Sequence, residues 1–124
     1  MRALALGVVA VAVLAGCGGG SGSRSSGAPA GSIQVTMTDF KFAPSNITAP
    51  HGKVVFWLIN ASGTAAHDLA IRDSSNNRLA VSELVSAGDT KEFDVANIDA
   101  GSYTIYCTQQ GHEASGMFGK LTVT

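Results

Sequence analysis

Residues 101–124 read GSYTIYCTQQGHEASGMFGKLTVT. Tyr103 to Cys107 is a β-branched and aromatic run. Phe118 to Thr124 closes the chain with Leu121 and Val123 alternating with polar residues, the two-residue period of a half-buried strand. Between them lies a loop with two Gly and one Ser. It carries Cys107, His112 five residues later and Met117 five residues after that. Thiolate, imidazole and thioether are the ligand types that suit copper, and two His with one Cys and a weak axial Met make a trigonal blue-copper centre. That centre needs a second His from elsewhere in the chain, and His67 is the candidate.

The rest of the domain also reads as strands. Ile33, Val35 and Met37 alternate with Gln34, Thr36 and Thr38, and Phe40-Lys41-Phe42 extends the pattern until Pro44 ends it. Ile47 to Ala49 is a short strand before Pro50-His51-Gly52. Lys53 to Asn60, KVVFWLIN, is the most apolar run of the domain, and its eight residues suit a central strand better than a helix. The loop Ala61 to Ala66 leads to His67, and Leu69 and Ile71 open another strand. Asp73 to Asn77 is a turn cluster. Leu79 to Val85 fits either a strand or one helical turn. Thr90 to Val95 is a strand after Gly88-Asp89. Seven or eight strands with frequent turn signals imply an all-β, antiparallel sandwich of two sheets.

The 124 residues carry a formal charge of -1 and suggest one domain with appendages. Met1-Arg2 followed by the apolar Ala3–Ala15 has signal-peptide character and is short for a membrane span. It ends in Leu14-Ala15-Gly16-Cys17, which looks like a bacterial lipobox, so residues 1–16 are expected to be removed and Cys17 to carry lipid. Acyl chains contribute roughly 0.8 kcal/mol per buried CH2, enough for a multiply acylated Cys17 to anchor the protein. Residues 17–31 then form a Gly/Ser-rich linker whose r.m.s. reach is about 20 Å. The folded domain is expected over residues 32–124. It holds four Lys and two Arg against six Asp and three Glu, a net of -3. Without a basic patch, nucleic acid is not an expected partner. A lipidated Cys17 leaves Cys107 with no disulfide partner in an oxidising compartment, where a bound metal would occupy the thiol.

These residues carry a resemblance. The domain resembles the cupredoxins, in particular the plastocyanin- and auracyanin-like small blue copper proteins. Gly101 to Cys107 is similar to the strand that leads into their ligand loop, and Gly116 to Val123 is similar to their closing segment. Phe42-Ala43-Pro44-Ser45 and the segment from Asn60 to His67 fit as well. The resemblance implies a Greek-key β-sandwich with one copper ion at one end, held by His67, Cys107, His112 and Met117. It also implies that Ala66 presents its carbonyl near the metal, that Asn60 belongs to the surrounding frame, and that His112 shows a ring edge at the surface where electrons enter. Tyr106 would be a second docking position. The family commonly has Asn or Ser after its first His ligand, tying the two ligand loops together; here that residue is Asp68. The family often has Pro before the Gly that precedes the second His; here it is Gln110.

The functional expectation is one-electron transfer by a monomer anchored at the outer face of the cell membrane, in the periplasm or facing the exterior. Its partners would be cytochromes or membrane redox complexes. A copper-storage or copper-delivery module is the alternative. Additional copper centres of the kind found in copper enzymes need additional His ligands, and of the three His in the chain, His51 sits in a Pro-His-Gly turn without ligand-like surroundings.

Overall fold

The structure is a computed structural model that describes residues 27–124. The expected signal segment and Cys17 lie outside these residues. The strands are β1 (Ile33–Thr38), β2 (Lys41–Ala43), β3 (Asn46–Ala49), β4 (Gly52–Asn60), β5 (Ala70–Arg72), β6 (Arg78–Val81), β7 (Thr90–Ile98), β8 (Gly101–Tyr106) and β9 (Phe118–Val123). They form a four-stranded sheet in the order β2-β1-β4-β7 and a five-stranded sheet in the order β3-β9-β8-β5-β6.

The alternating residues face one another across the sandwich. Val35 and Met37 of β1, Val54, Phe56 and Leu58 of β4, and Phe93 and Val95 of β7 point inward from one sheet. They meet Ile47, Ile71, Ile105, Leu121 and Val123 from the other. Phe56 and Phe93, opposite each other in the β4–β7 pairing, stack with ring centroids 5.8 Å apart. Burying such side chains contributes roughly 1.5–3 kcal/mol each.

Three details differ from the sequence expectation. There are nine strands among the described residues rather than seven or eight. The first strand stops at Thr38, because the chain turns at Asp39-Phe40 with Phe40 at φ 62°, and β2 returns antiparallel from Lys41. The pairings β1–β4 and β3–β9 are parallel, so the sheets are mixed where an antiparallel sandwich was expected. The chain crosses between sheets from one member of each such pair to the other, and local alternation carries no information on strand direction. The Leu79–Val85 ambiguity resolves into β6 followed by a loop in which Val85 bridges to His67.

Gly119 is required by packing. A Cβ there would overlap the Ser45 carbonyl, which accepts a hydrogen bond from the Lys120 amide at 2.8 Å. That close approach holds the segment entering β3 against β9. Gly27, at the start of the described chain, lies against the Trp57 ring on the outer side of β4, where an added Cβ would sit 3.7 Å from the ring.

Candidate metal centre

The inward-facing series of β4 ends in a polar residue. After Val54, Phe56 and Leu58, the next inward position is Asn60, which is 1 % exposed. Its side-chain amide donates to the carbonyls of Ala65 (2.8 Å) and Val85 (2.9 Å), and its oxygen accepts from the Ser62 amide (2.9 Å). One buried side chain thus gathers the loop after β4 and the segment before β7. Between them His67 exchanges two backbone hydrogen bonds with Val85, at 3.0 and 2.8 Å. His67 is fully buried, and Ala66 before it is half-buried.

The second loop is folded by its own short-range hydrogen bonds. The His112 amide donates to Gln109, the Gly116 amide to Glu113 and the Met117 amide to His112, all at 2.9–3.0 Å. The Cys107 amide donates to the Met117 carbonyl at 3.1 Å, closing the loop back onto the end of β8. Cys107 and Met117 are buried, whereas His112 is half-buried.

These two loops bring three ligand atoms to one place. Nδ1 of His67 lies 3.1 Å from Nδ1 of His112, and the Cys107 sulfur lies 3.9 Å from the first and 3.5 Å from the second. A triangle with these sides has a circumscribed radius of about 2.0 Å, so one point stands about 2.0 Å from all three atoms, close to the lengths of metal–imidazole and metal–thiolate bonds. A proton can satisfy one such pair; a cation at the common point satisfies all three. The three residues are the one His/Cys/Asp/Glu cluster with metal-binding geometry among the described residues. With Met117 buried in the same loop, the donor set fits one copper ion.

The electrostatics favour neutral groups in the metal-free pocket. Burial lowers the pKa of His67, a nearby charge on His112 lowers it further, and Asp39 opposes the shift. Burial raises the Cys107 thiol. Both shifts favour the neutral imidazole and the protonated thiol, whose proton a bound metal would displace.

Asp68 does not point to solvent. It is 5 % exposed, and its carboxylate accepts the Thr108 amide at 2.7 Å and the Thr108 hydroxyl in a second, short hydrogen bond. Because Asp68 follows His67 and Thr108 follows Cys107, this contact ties the two ligand loops together. Gln110, before Gly111, is exposed in the second loop.

Tyr106 points to the outer face of its sheet, as strand alternation from Cys107 requires, and is half-buried beneath Arg72, whose guanidinium carbon is 4.4 Å from the ring centroid. The same guanidinium donates to both carboxylate oxygens of Glu113 at 2.8 Å. His51 is exposed, with Nδ1 2.9 Å from the Thr124 carbonyl, and is not part of the cluster.

Several contributors were not singled out from the sequence. Thr108, Arg72 and Glu113 act across long sequence separations, with no local signature. Asp39 did leave one: at the parity of Ile33, Val35 and Met37 the next residue is an acid, in the turn beyond β1 with its side chain 57 % exposed.

Solved structures of other proteins share the fold. An auracyanin from Roseiflexus castenholzii superposes with a TM-score of 0.68 at 18 % identity, covering 78 % of this chain and 99 % of that one. Auracyanin A of Chloroflexus aurantiacus, a "blue" copper protein, gives 0.61 at 22 %, covering 73 % and 99 %. A copper-containing nitrite reductase from Thermus scotoductus gives 0.57 at 18 %, covering 75 % of this chain but 22 % of that longer one. At these identities the likeness concerns the fold. No curated protein sequence matches the chain. The family profile described as a cupredoxin-like domain matches residues 7–123, nearly the whole length, and with the two-histidine, one-cysteine cluster it shows that the chain belongs to the cupredoxin family.

Proposed function

We propose that the protein is a type 1 copper carrier of single electrons. The observation that carries this reading is the convergence of His67 Nδ1, His112 Nδ1 and Cys107 Sγ on one point about 2.0 Å from each. In this reading those three residues hold the metal and Met117 is the weak axial ligand that helps tune its potential. Bound there, copper supplies reversible one-electron exchange. The chain's own part is to keep the ligands in one arrangement in both oxidation states. Asn60, the His67–Val85 bridge and the Asp68–Thr108 tie restrain the ligand loops from both sides.

His112 is the half-buried ligand and is the proposed electron port. Phe40 lies beside it, the two ring centroids 5.2 Å apart and the rings nearly perpendicular, and is 42 % exposed. Together with the small residues Gly63, Ala65, Ala66, Ala114 and Gly116 they offer a weakly apolar face suited to brief contacts, which are small in electron-transfer pairs. Four protein ligands leave no position for a substrate, which supports a carrier rather than an enzyme. The Leu14-Ala15-Gly16-Cys17 motif supports export and lipid anchoring at Cys17, with cytochromes or membrane-bound redox complexes as partners.

The test is a visible spectrum of the protein with one equivalent of Cu(II), before and after ascorbate. An intense thiolate-to-copper band that bleaches on reduction and returns on oxidation is expected. A pale spectrum would remove Cys107 from the proposed coordination. A normal band with rapid metal exchange would favour copper storage or delivery instead.

A further inference from the structure

We propose that Asp39 is a positioning residue for the metal centre: its carboxylate accepts a hydrogen bond from the Nε2–H of His67 and so fixes the tautomer that leaves Nδ1 free for copper. This rests on the reading of His67 as a ligand. The first observation is that Nε2 of His67 is buried and has no hydrogen-bond partner at normal distance. A neutral imidazole that ligates through Nδ1 carries its proton on Nε2, and a buried N–H requires an acceptor. The second is that Asp39 Oδ1 lies 3.7 Å from that atom. Two groups that share a water stand roughly 4.5–5.5 Å apart, given O···O and N···O distances near 2.8 Å, so nothing fits between them. A small closure of the β1–β2 turn makes the bond, and such contacts tighten when the partner is engaged.

The third observation is that Asp39 is held in place from behind. The Ser62 hydroxyl donates to Asp39 Oδ1 at 2.5 Å and itself accepts the Ala65 amide at 3.1 Å. The carboxylate is thereby attached to the loop that carries His67. The fourth is backbone strain. Phe40, the next residue, sits at φ 62°, a conformation that is a genuine outlier for a bulky side chain. Its ring and that of His112 meet nearly at right angles, at a centroid distance of 5.2 Å. The one strained turn at the end of β1 therefore addresses both histidines, His67 through a carboxylate and His112 through a ring. Strain kept at such a point is a mark of positioning. Metal-bound histidines commonly donate their second ring N–H to a carboxylate, which orients the ring and raises its basicity.

Two variants test this, Asp39→Ala and Asp39→Asn, in the metal-free and Cu(I)-loaded protein. Imidazole nitrogen–proton correlation spectra read the His67 tautomer directly. The native protein should show a slowly exchanging Nε2 proton. Asp39→Ala should make that proton exchange at least about tenfold faster and weaken copper retention roughly 10- to 100-fold. Asp39→Asn keeps an oxygen acceptor, so it should preserve the proton signal, yet lose the charge and raise the midpoint potential. Asp39→Ala with native exchange and native copper retention would overturn the proposal. Should Asp39→Ala not fold, an Asp39→Asn protein with an unchanged potential would overturn it as well. Native protein without a blue band would instead overturn the copper-site reading on which the proposal rests, which separates the two failures.

Discussion

The two histidines of the centre are held in opposite ways. His67 is fully buried, hydrogen-bonded through its backbone to Val85 and framed by Asn60. Those restraints come from residues up to 25 positions away from one another. His112 is half-buried and sits in a loop folded by hydrogen bonds that span three to five residues and closed by the Cys107–Met117 bond, with Arg72 clasping the adjacent Glu113 from outside. One ligand belongs to the core and the other to the surface. An electron carrier needs both. In the proposed carrier the buried side would resist rearrangement when a bound metal changes charge, and the surface side would bring the metal's electronic coupling to where a partner can reach it.

The sharpest way to break the arrangement is to remove the ligand that both sides share. Cys107→Ser should abolish the intense thiolate band altogether, as read by visible absorption with one equivalent of Cu(II). Retention of the band would remove Cys107 from the centre. The buried side comes next. Asn60→Ala would leave the Ala65 and Val85 carbonyls and the Ser62 amide without their partner. At about 1–3 kcal/mol for each buried unpaired group, partly relieved by relaxation, we expect a loss of about 2–4 kcal/mol in denaturant unfolding of the metal-free protein. A loss below about 1 kcal/mol would show that the loops hold themselves.

The tie between the sides gives a smaller, electrical effect. Asp68→Asn can keep both contacts to Thr108, accepting the amide and donating to the hydroxyl, while removing a buried negative charge that favours Cu(II) over Cu(I). The midpoint potential should rise by tens of mV, the one-electron equivalent of about 1 kcal/mol. An unchanged or lower potential by voltammetry would sink the idea. The surface side should be the most forgiving. Arg72 and Glu113 are 24 % and 34 % exposed, and a partly solvated ion pair contributes about 1 kcal/mol or less. Arg72→Ala should therefore cost no more than that in stability and leave the blue band in place. A large loss of copper binding in that variant would mean that the loop around His112 depends on the clasp more than on its own hydrogen bonds.

This division also marks where sequence reading reached and where it ended. Cys107, His112 and Met117 fall within eleven residues, so their spacing alone announced a ligand loop, and alternation along Lys53–Asn60 or Ile33–Thr38 announced strands with one buried face. Side-chain direction in a strand has a fixed period, and a short loop keeps its ligands together whatever surrounds it. Both facts are local, and a sequence carries local facts in full. Strand direction is not local, and the parallel pairings of β1 with β4 and of β3 with β9 emerged from the fold alone. The same holds for the contacts that surround the metal: Asp68 with Thr108 across 40 residues, Arg72 with Glu113 across 41, and Asp39 with Ser62 across 23. The sequence by itself determined which side chains could bind copper and that the chain would be a β-sandwich. The tertiary structure decided how each ligand is oriented, because the groups that orient a ligand are selected by proximity in space, and proximity between distant segments is set by how the two sheets pack.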